Sequence, residues 1–253
     1  MRALITGASS GIGRDIAREL ASKSYDLVIV ARNIERLNEL KHDINSKAGN
    51  IKIEVIQMDL SIHENCIKLH EQYKGKIDLL INNAGFGTCG EFDKVDLEKE
   101  LQLINTNITA LHILTKLFLQ DMKERNDGQI LNVASIAGFL PGPLMSTYYA
   151  SKAYVVRLSQ GIREELRRAK SNVKISILCP GPVETNFNKV ANVHFSAKPL
   201  SSEYVAKYTV KRLLKKKFYI VPGTEIKMLR YLCKITPDTI VARFAYKMQH
   251  SKR

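Results

Sequence analysis

The sequence predicts an α/β fold, a doubly wound parallel sheet of seven strands with helices on both faces. Short runs rich in β-branched and other apolar residues occur at 3–6, 27–31, 51–58, 79–82, 130–134, 173–179 and 218–221. Segments of helix length separate these runs, and a chain that alternates strand and helix in this way folds as a parallel sheet covered by its crossover helices. Between the runs, apolar residues recur at helical spacing, each set making a one-sided stripe that can lie on a sheet.

The elements follow in order. After the first run, Ile12, Ile16 and Leu20 line one face of a helix that reaches about Lys23. The second, third and fourth runs come at βαβ distances. Leu97, Leu101, Ile104, Ile108 and Leu111 then mark a helix that Asn105-Thr106-Asn107 interrupts with three residues of low helical propensity, which predicts a kink or a wet site. The fifth run precedes a helix striped by Val155, Leu158, Ile162 and Leu166, and the sixth and seventh complete the sheet. Two further helices are expected around 225–234 and 238–249. In the second, Ile240, Val241, Phe244, Ala245 and Met248 share a face, with Arg243 and Lys247 on another.

At 253 residues, with 45% hydrophobic and 25% charged residues, the chain is ordinary globular material at the upper size of one domain. No repeat or linker divides it, so residues 1–222 are expected as the main domain and 223–253 as a basic helical extension packed on it. No apolar run reaches the length of a membrane span, and Met1-Arg2 passes directly into Ala3-Leu4-Ile5 with no signal-peptide pattern. Cys66, Cys89, Cys179 and Cys233 are widely spaced, without a zinc or redox pairing. Together these features predict a cytoplasmic protein.

The net charge of +14 is concentrated, because residues 201–253 hold 13 Lys and Arg against Glu203, Glu225 and Asp238. Such a tail can dock on its own domain or on a second subunit, adsorb to an anionic membrane surface, or remain a solvated face. Nucleic-acid binding is not expected, since no aromatic platform or binding module accompanies the charge. The six scattered histidines predict no metal site.

Directly after the first strand stands Thr6-Gly7-Ala8-Ser9-Ser10-Gly11-Ile12-Gly13. Gly7 permits a tight turn, Gly11 and Gly13 permit close approach of backbone to a phosphate, and the helix N-terminus that follows offers free N–H donors. At the end of the second strand, where a carboxylate would bind a ribose 2′-hydroxyl, the chain carries Ala31-Arg32-Asn33. A guanidinium there suits a 2′-phosphate, with Arg14 or Arg36 as helpers.

The T-G-x-x-x-G-x-G turn resembles that of the short-chain dehydrogenase/reductase family. Three further motifs continue the resemblance along almost the whole chain: Asn82-Asn83-Ala84-Gly85, Tyr148-Tyr149-Ala150-Ser151-Lys152 as Y-x-x-x-K, and Pro180-Gly181-Pro182-Val183. It implies a Rossmann-type fold and a catalytic set of Asn107, Ser135, Tyr148 and Lys152, with Asn105 replacing Asn107 if the register slips by two.

The implied cofactor is NADP(H). It would be held by Gly7, Ser9, Ser10, Gly11, Ile12, Gly13, Arg32, Asn33, Asp59, Leu60, Asn83, Ala84 and Gly85, and further by Tyr148, Lys152, Pro180, Gly181, Val183 and Thr185. Tyr148 would exchange a proton with the substrate oxygen while hydride passes to or from the nicotinamide, Ser135 would bind that oxygen, and Asn107 would anchor a water beside Lys152. Members acting on hydroxysteroid or ketoacyl substrates are the most similar.

Phe86, Phe139, Leu140, Leu144, Met145, Phe187, Val190 and Phe195 are expected around the reacting centre. They favour a small hydrophobic carbonyl or alcohol substrate, and residues 184–199 are expected as a lid. A homodimer or homotetramer is implied by the resemblance. The alternatives are a dinucleotide-binding regulator or membrane-associated adaptor without turnover, and a reductase of carrier-bound or coenzyme A thioesters.

Overall fold

A computed structural model describes residues 1–47, 49–185, 187, 199–233 and 235–250, with the side chains of 248–250 excepted. The chain forms β1 (Arg2–Thr6), α1 (Gly11–Ala21), β2 (Asp26–Ala31), α2 (Ile34–Asn45), β3 (Ile53–Gln57), α3 (His63–Tyr73) and β4 (Leu79–Asn82). Next come α4 (Leu97–Ile104), a π-helical turn (Asn105–Ala110), α5 (Leu111–Glu124), β5 (Gln129–Val133), a 3-10 turn (Ile136–Phe139), α6 (Ser146–Arg168) and β6 (Lys174–Leu178). The remainder is β7 (Val183–Glu184), β8 (Leu200–Ser201), α7 (Ser202–Leu213), β9 (Tyr219–Ile220), α8 (Thr224–Leu232) and α9 (Asp238–His250).

Seven strands form one parallel sheet in the order β3-β2-β1-β4-β5-β6-β9, with the sheet order reversing between β1 and β4. All seven expected runs are in it. The two-residue strands β7 and β8 make a second small sheet that the sequence analysis does not anticipate.

Strand side chains alternate between faces, and here both faces are buried. From β2, Leu27, Ile29 and Ala31 enter a core layer with Ile16 and Leu20 of α1 and Val210 of α7. Val28 and Val30 enter the opposite layer, with Leu69 of α3, Phe118 of α5 and Leu166 of α6. Buried Asp15 fastens α1 to α7: it accepts from Arg14 and Arg18 and from the Ser202 hydroxyl.

The expected interruption at 105–107 is a π-helical turn between α4 and α5, a distortion that recurs at functional sites. No helix among the described residues is long and apolar enough to cross a membrane.

Candidate active site

At the carboxyl ends of the strands, where open α/β sheets bind ligands at the order reversal, lies a cavity of about 590 Å³. Of the residues expected from the sequence to form the catalytic set and hold the cofactor, all but Gly13 and Asn107 line it, as does the helper Arg36, while the alternatives Arg14 and Asn105 do not.

The cradle is built from backbone. Gly7 and Gly11 sit at φ +65° and +54°, in the left-handed region that favours glycine. A Cβ on Gly7 would lie 2.8 Å from the Ala84 Cα, and one on Gly11 would lie 2.8 Å from Thr185 Cγ2. Gly13 serves differently from expectation. It does not line the cavity, and a Cβ there would meet Asn83 Nδ2 at 2.4 Å and the Gly7 carbonyl at 2.5 Å, so its smallness lets α1 close on the turn after β4.

Asn83 completes that closure. Its Nδ2 donates to the carbonyls of Thr6 (3.0 Å) and Gly7 (3.1 Å), while the Thr6 hydroxyl oxygen accepts from the backbone N–H of Asn83 and Ala84. These turns leave a glycine-lined floor and the free N–H groups of a helix N-terminus, which fit a dinucleotide diphosphate.

Beyond the cradle, exposed Arg32 stands just after β2 and exposed Arg36 in the first turn of α2, which Asn33 caps by accepting from Arg36 N–H at 2.7 Å. Arg14, the other suggested helper, is turned away from the cavity and paired with Asp15 at 2.9 Å. Asp59 borders the cavity and also closes its own turn, accepting from the Ser61 N–H and hydroxyl.

Ser135 follows β5 and caps the 3-10 turn, and Tyr148 and Lys152 lie on one face of the first turns of α6. The Ser135 hydroxyl hydrogen-bonds the Tyr148 phenol. Lys152 Nζ donates to the Val133 carbonyl at 3.0 Å and lies 5.8 Å from the centre of the Tyr148 ring. Burial pushes the Tyr148 hydroxyl well above the ordinary tyrosine range, and the Ser135 bond pulls it part of the way back. Burial also pulls the Lys152 ammonium down to about 8. The neighbouring phenol, Tyr149, also lines the cavity, with its ring against Gly142.

Asn107, in the π-helical turn, is buried outside the cavity. Its Nδ2 donates to the Phe86 carbonyl (2.9 Å) and to Ser151 Oγ (3.1 Å), and its Oδ1 accepts from Phe86 N–H (3.0 Å). The amide thereby ties the turn after β4 to the α6 turn that carries Tyr148. Of the two asparagines the sequence offers, Asn105 and Asn107, it is Asn107 whose amide makes these bonds.

At the far end of the cavity the walls are apolar side chains. Phe86, Leu140, Met145 and Phe187 line it as expected, with the Phe187 ring 5.1 Å from that of Tyr148. Two expected wall residues do not. Phe139 turns away to sit beside Tyr219 and the buried Arg230, and Leu144 is buried at φ +64° behind the cavity. Val190 and Phe195, and most of the expected lid, lie outside the described residues.

The sequence analysis missed the wall that α8 and α9 supply, which includes Ile226, Leu229, Val241, Phe244 and Ala245. The sequence marks the last three as an apolar stripe on an extension packed on the main domain, but not as a wall of the cavity. Ile226 covers Gly181, where a Cβ would stand 2.5 Å from Ile226 Cδ1. Also missed was a buried polar chain under the site. Asn82 Nδ2 donates to Thr115 Oγ1 and Asn132 Oδ1, and Asn132 Nδ2 donates to Ser159 Oγ. The signal for it was an asparagine inside each of two apolar strand runs.

Comparison with known proteins agrees with this construction. The family described as short chain dehydrogenase matches residues 1–194. The 17-beta-hydroxysteroid dehydrogenase type 3 of Rattus norvegicus is 34% identical over 201 residues, covering 75% of this chain and 62% of its own. The very-long-chain 3-oxoacyl-CoA reductase of Anas platyrhynchos is 33% identical over 209 residues, 80% of this chain and 66% of its own.

Among solved structures, a short-chain dehydrogenase from Sphingobium yanoikuyae in complex with NADPH superposes with TM-score 0.83 at 28% identity, over 93% of this chain and 96% of its own. A family member from Burkholderia phymatum in complex with NAD gives 0.82 at 27%, over 91% and 92%. With its sheet order, its cradle and its sequence all in agreement, the chain belongs to the short-chain dehydrogenase/reductase family of nicotinamide-dependent oxidoreductases.

Proposed function

We propose that the protein is an NADP(H)-dependent oxidoreductase that interconverts a hydrophobic ketone or aldehyde and its alcohol. The observation that carries this reading is the continuity of one cavity from the glycine cradle, past Ser135, Tyr148 and Lys152, to an apolar far wall. When bound, a nicotinamide dinucleotide supplies or accepts the hydride.

The chain's own residues handle the proton. In reduction, Tyr148 donates its hydroxyl proton to the substrate oxygen, and Ser135 hydrogen-bonds that oxygen and holds it at the phenol. Desolvation alone opposes both a phenolate at 148 and an ammonium at 152, so each charge favours the other when both form. Asn107 is a positioning residue that holds the Phe86 turn against α6, beside Lys152, and it is suited to keep a water there. Arg32 and Arg36 support the phosphorylated dinucleotide, since a guanidinium binds a 2′-phosphate through paired, charge-assisted hydrogen bonds.

In this reading residues 1–222 carry cofactor and catalysis, and α8 and α9 of the 223–253 extension close the substrate end. Leu97 and Leu101, both exposed on α4, favour a homo-oligomer paired through the long helices, which a molecular mass measured in solution tests. Paired titrations with NADPH and NADH, followed by cofactor oxidation against steroid, fatty-acyl and aromatic ketones, test the function. NADPH binding at least about tenfold tighter, a gap of about 1.4 kcal/mol, with turnover on an apolar ketone, is the expected result. Equal binding removes Arg32 from the phosphate site, and tight binding without turnover transfers the protein to the regulators.

A further inference from the structure

Among the described residues, half of the large apolar side chains left exposed fall within 228–246, on α8, α9 and the turn between them. Met228 and Leu232 stand one turn apart on α8 and Ile235 lies in the turn that follows it; they are 61%, 47% and 80% exposed. On α9, Ile240 and Phe244 stand one turn apart and are 56% and 64% exposed. A patch of this kind on a soluble domain marks an interaction surface.

Two of its members also belong to the cavity. Leu229 and Phe244 line the substrate end and are exposed at the same time, so the cavity opens through this patch. Arg243 and Lys247 are exposed beside Phe244, and Lys227 is half-buried beside Met228. Only Glu225 and Asp238, each in the first turn of its helix, carry negative charge on α8 and α9. Lys215, Lys216 and Lys217 precede the opposite end of β9 and are not part of this face.

We propose that this face docks on an anionic lipid bilayer and that the cavity takes its carbonyl substrate from that bilayer. The second half of the proposal rests on the reductase reading above. Short helices that expose an apolar stripe flanked by cations lie in the interface of a membrane without crossing it. Apposing two copies through this face would bring like charges together, and Leu97 and Leu101 offer a self-association surface elsewhere. A cavity whose apolar wall continues onto its outer rim lets a lipid-soluble ketone enter without passing through water.

The test is flotation of the whole protein with vesicles of phosphatidylcholine alone and with 30% phosphatidylglycerol added, without cofactor or substrate. The expected result is binding to the anionic vesicles that weakens with salt and falls at least tenfold in a Met228→Glu, Ile235→Glu double variant. Neither residue lines the cavity, so that variant keeps its turnover of a small water-soluble ketone and loses rate on a long-chain ketone presented in vesicles. An Arg243→Glu, Lys247→Glu variant is the second probe should the first fail to fold, and it too loses anionic-vesicle binding.

Absence of vesicle binding by the unaltered protein, or undiminished binding by the variants, overturns the docking face. So does a face whose substitution changes only the oligomeric mass or the capture of an acidic carrier protein. Equal rates of wild type and variant on the vesicle-borne ketone overturn the delivery role. Vesicle binding with no turnover of any carbonyl overturns the reductase reading and with it the delivery role, while the docking face stands.

Discussion

The two ends of the cavity are built from different materials. At the cradle, the wall is main chain: Gly7 and Gly11 in left-handed conformation, and two turns joined through Thr6 and Asn83 by hydrogen bonds of 3.0–3.1 Å. There is no room for a methyl group at Gly7 or Gly13. At the far end the wall is side chain, contributed by α8 and α9, and some of it is open to solvent. A ligand of constant shape can be met by backbone that has no freedom to vary. A variable ligand is met by side chains on a peripheral extension, where one substitution changes the shape and leaves the fold intact.

Tyr148, the proposed proton-transfer group, sits between the two ends, and the largest expected effect is there. Tyr148→Phe should lower kcat/KM by about 10³-fold while leaving cofactor affinity and thermal midpoint unchanged; a changed midpoint would make the phenol a structural part of the wall.

Lys152→Met should stabilise the cofactor-free protein at pH 7. Burial lowers the lysine to about 8 in the folded state, below its ordinary value of about 10.4, so between these values the unfolded chain holds more protons and stability rises with pH. The cost of the buried ammonium is present in full below pH 8. The variant's advantage, about 3 kcal/mol there, should vanish above about pH 10.4 in denaturation curves, although its turnover is lost.

At the cradle, Gly7→Ala combines the unfavourable φ with the Ala84 contact and should cost about 1–3 kcal/mol of stability, together with dinucleotide binding. Arg32→Ala should reduce the NADPH to NADH preference about tenfold, or about 1.4 kcal/mol, measured by paired titration. The smallest effect belongs to the far end. Phe244→Ala should raise KM for a bulky ketone about threefold, less than 1 kcal/mol, with no change in cofactor affinity. A shift in cofactor affinity in that variant would break the division between the two ends.

What the sequence by itself determined is the part whose signals are local. The seven apolar runs, the helical stripes, the glycine turn after the first strand and the interruption at 105–107 are each written within a few residues, and each is where the structure has it. The gathering of Ser135, Tyr148, Lys152 and the cradle in one cavity was legible because strand ends in a parallel sheet all meet at one edge.

Only the tertiary structure decided the rest. Gly13 faces Asn83, some 70 residues away, and not the cavity. Phe139 and Leu144 have the composition of wall residues but turn from the cavity, because neighbours distant in the chain, such as Tyr219 and Arg230 for Phe139, fix their direction. The β7–β8 pair is too short to show a period. The stripe on α9 states that one face is apolar, but what that face covers depends on where the helix docks, and no local pattern encodes a docking site.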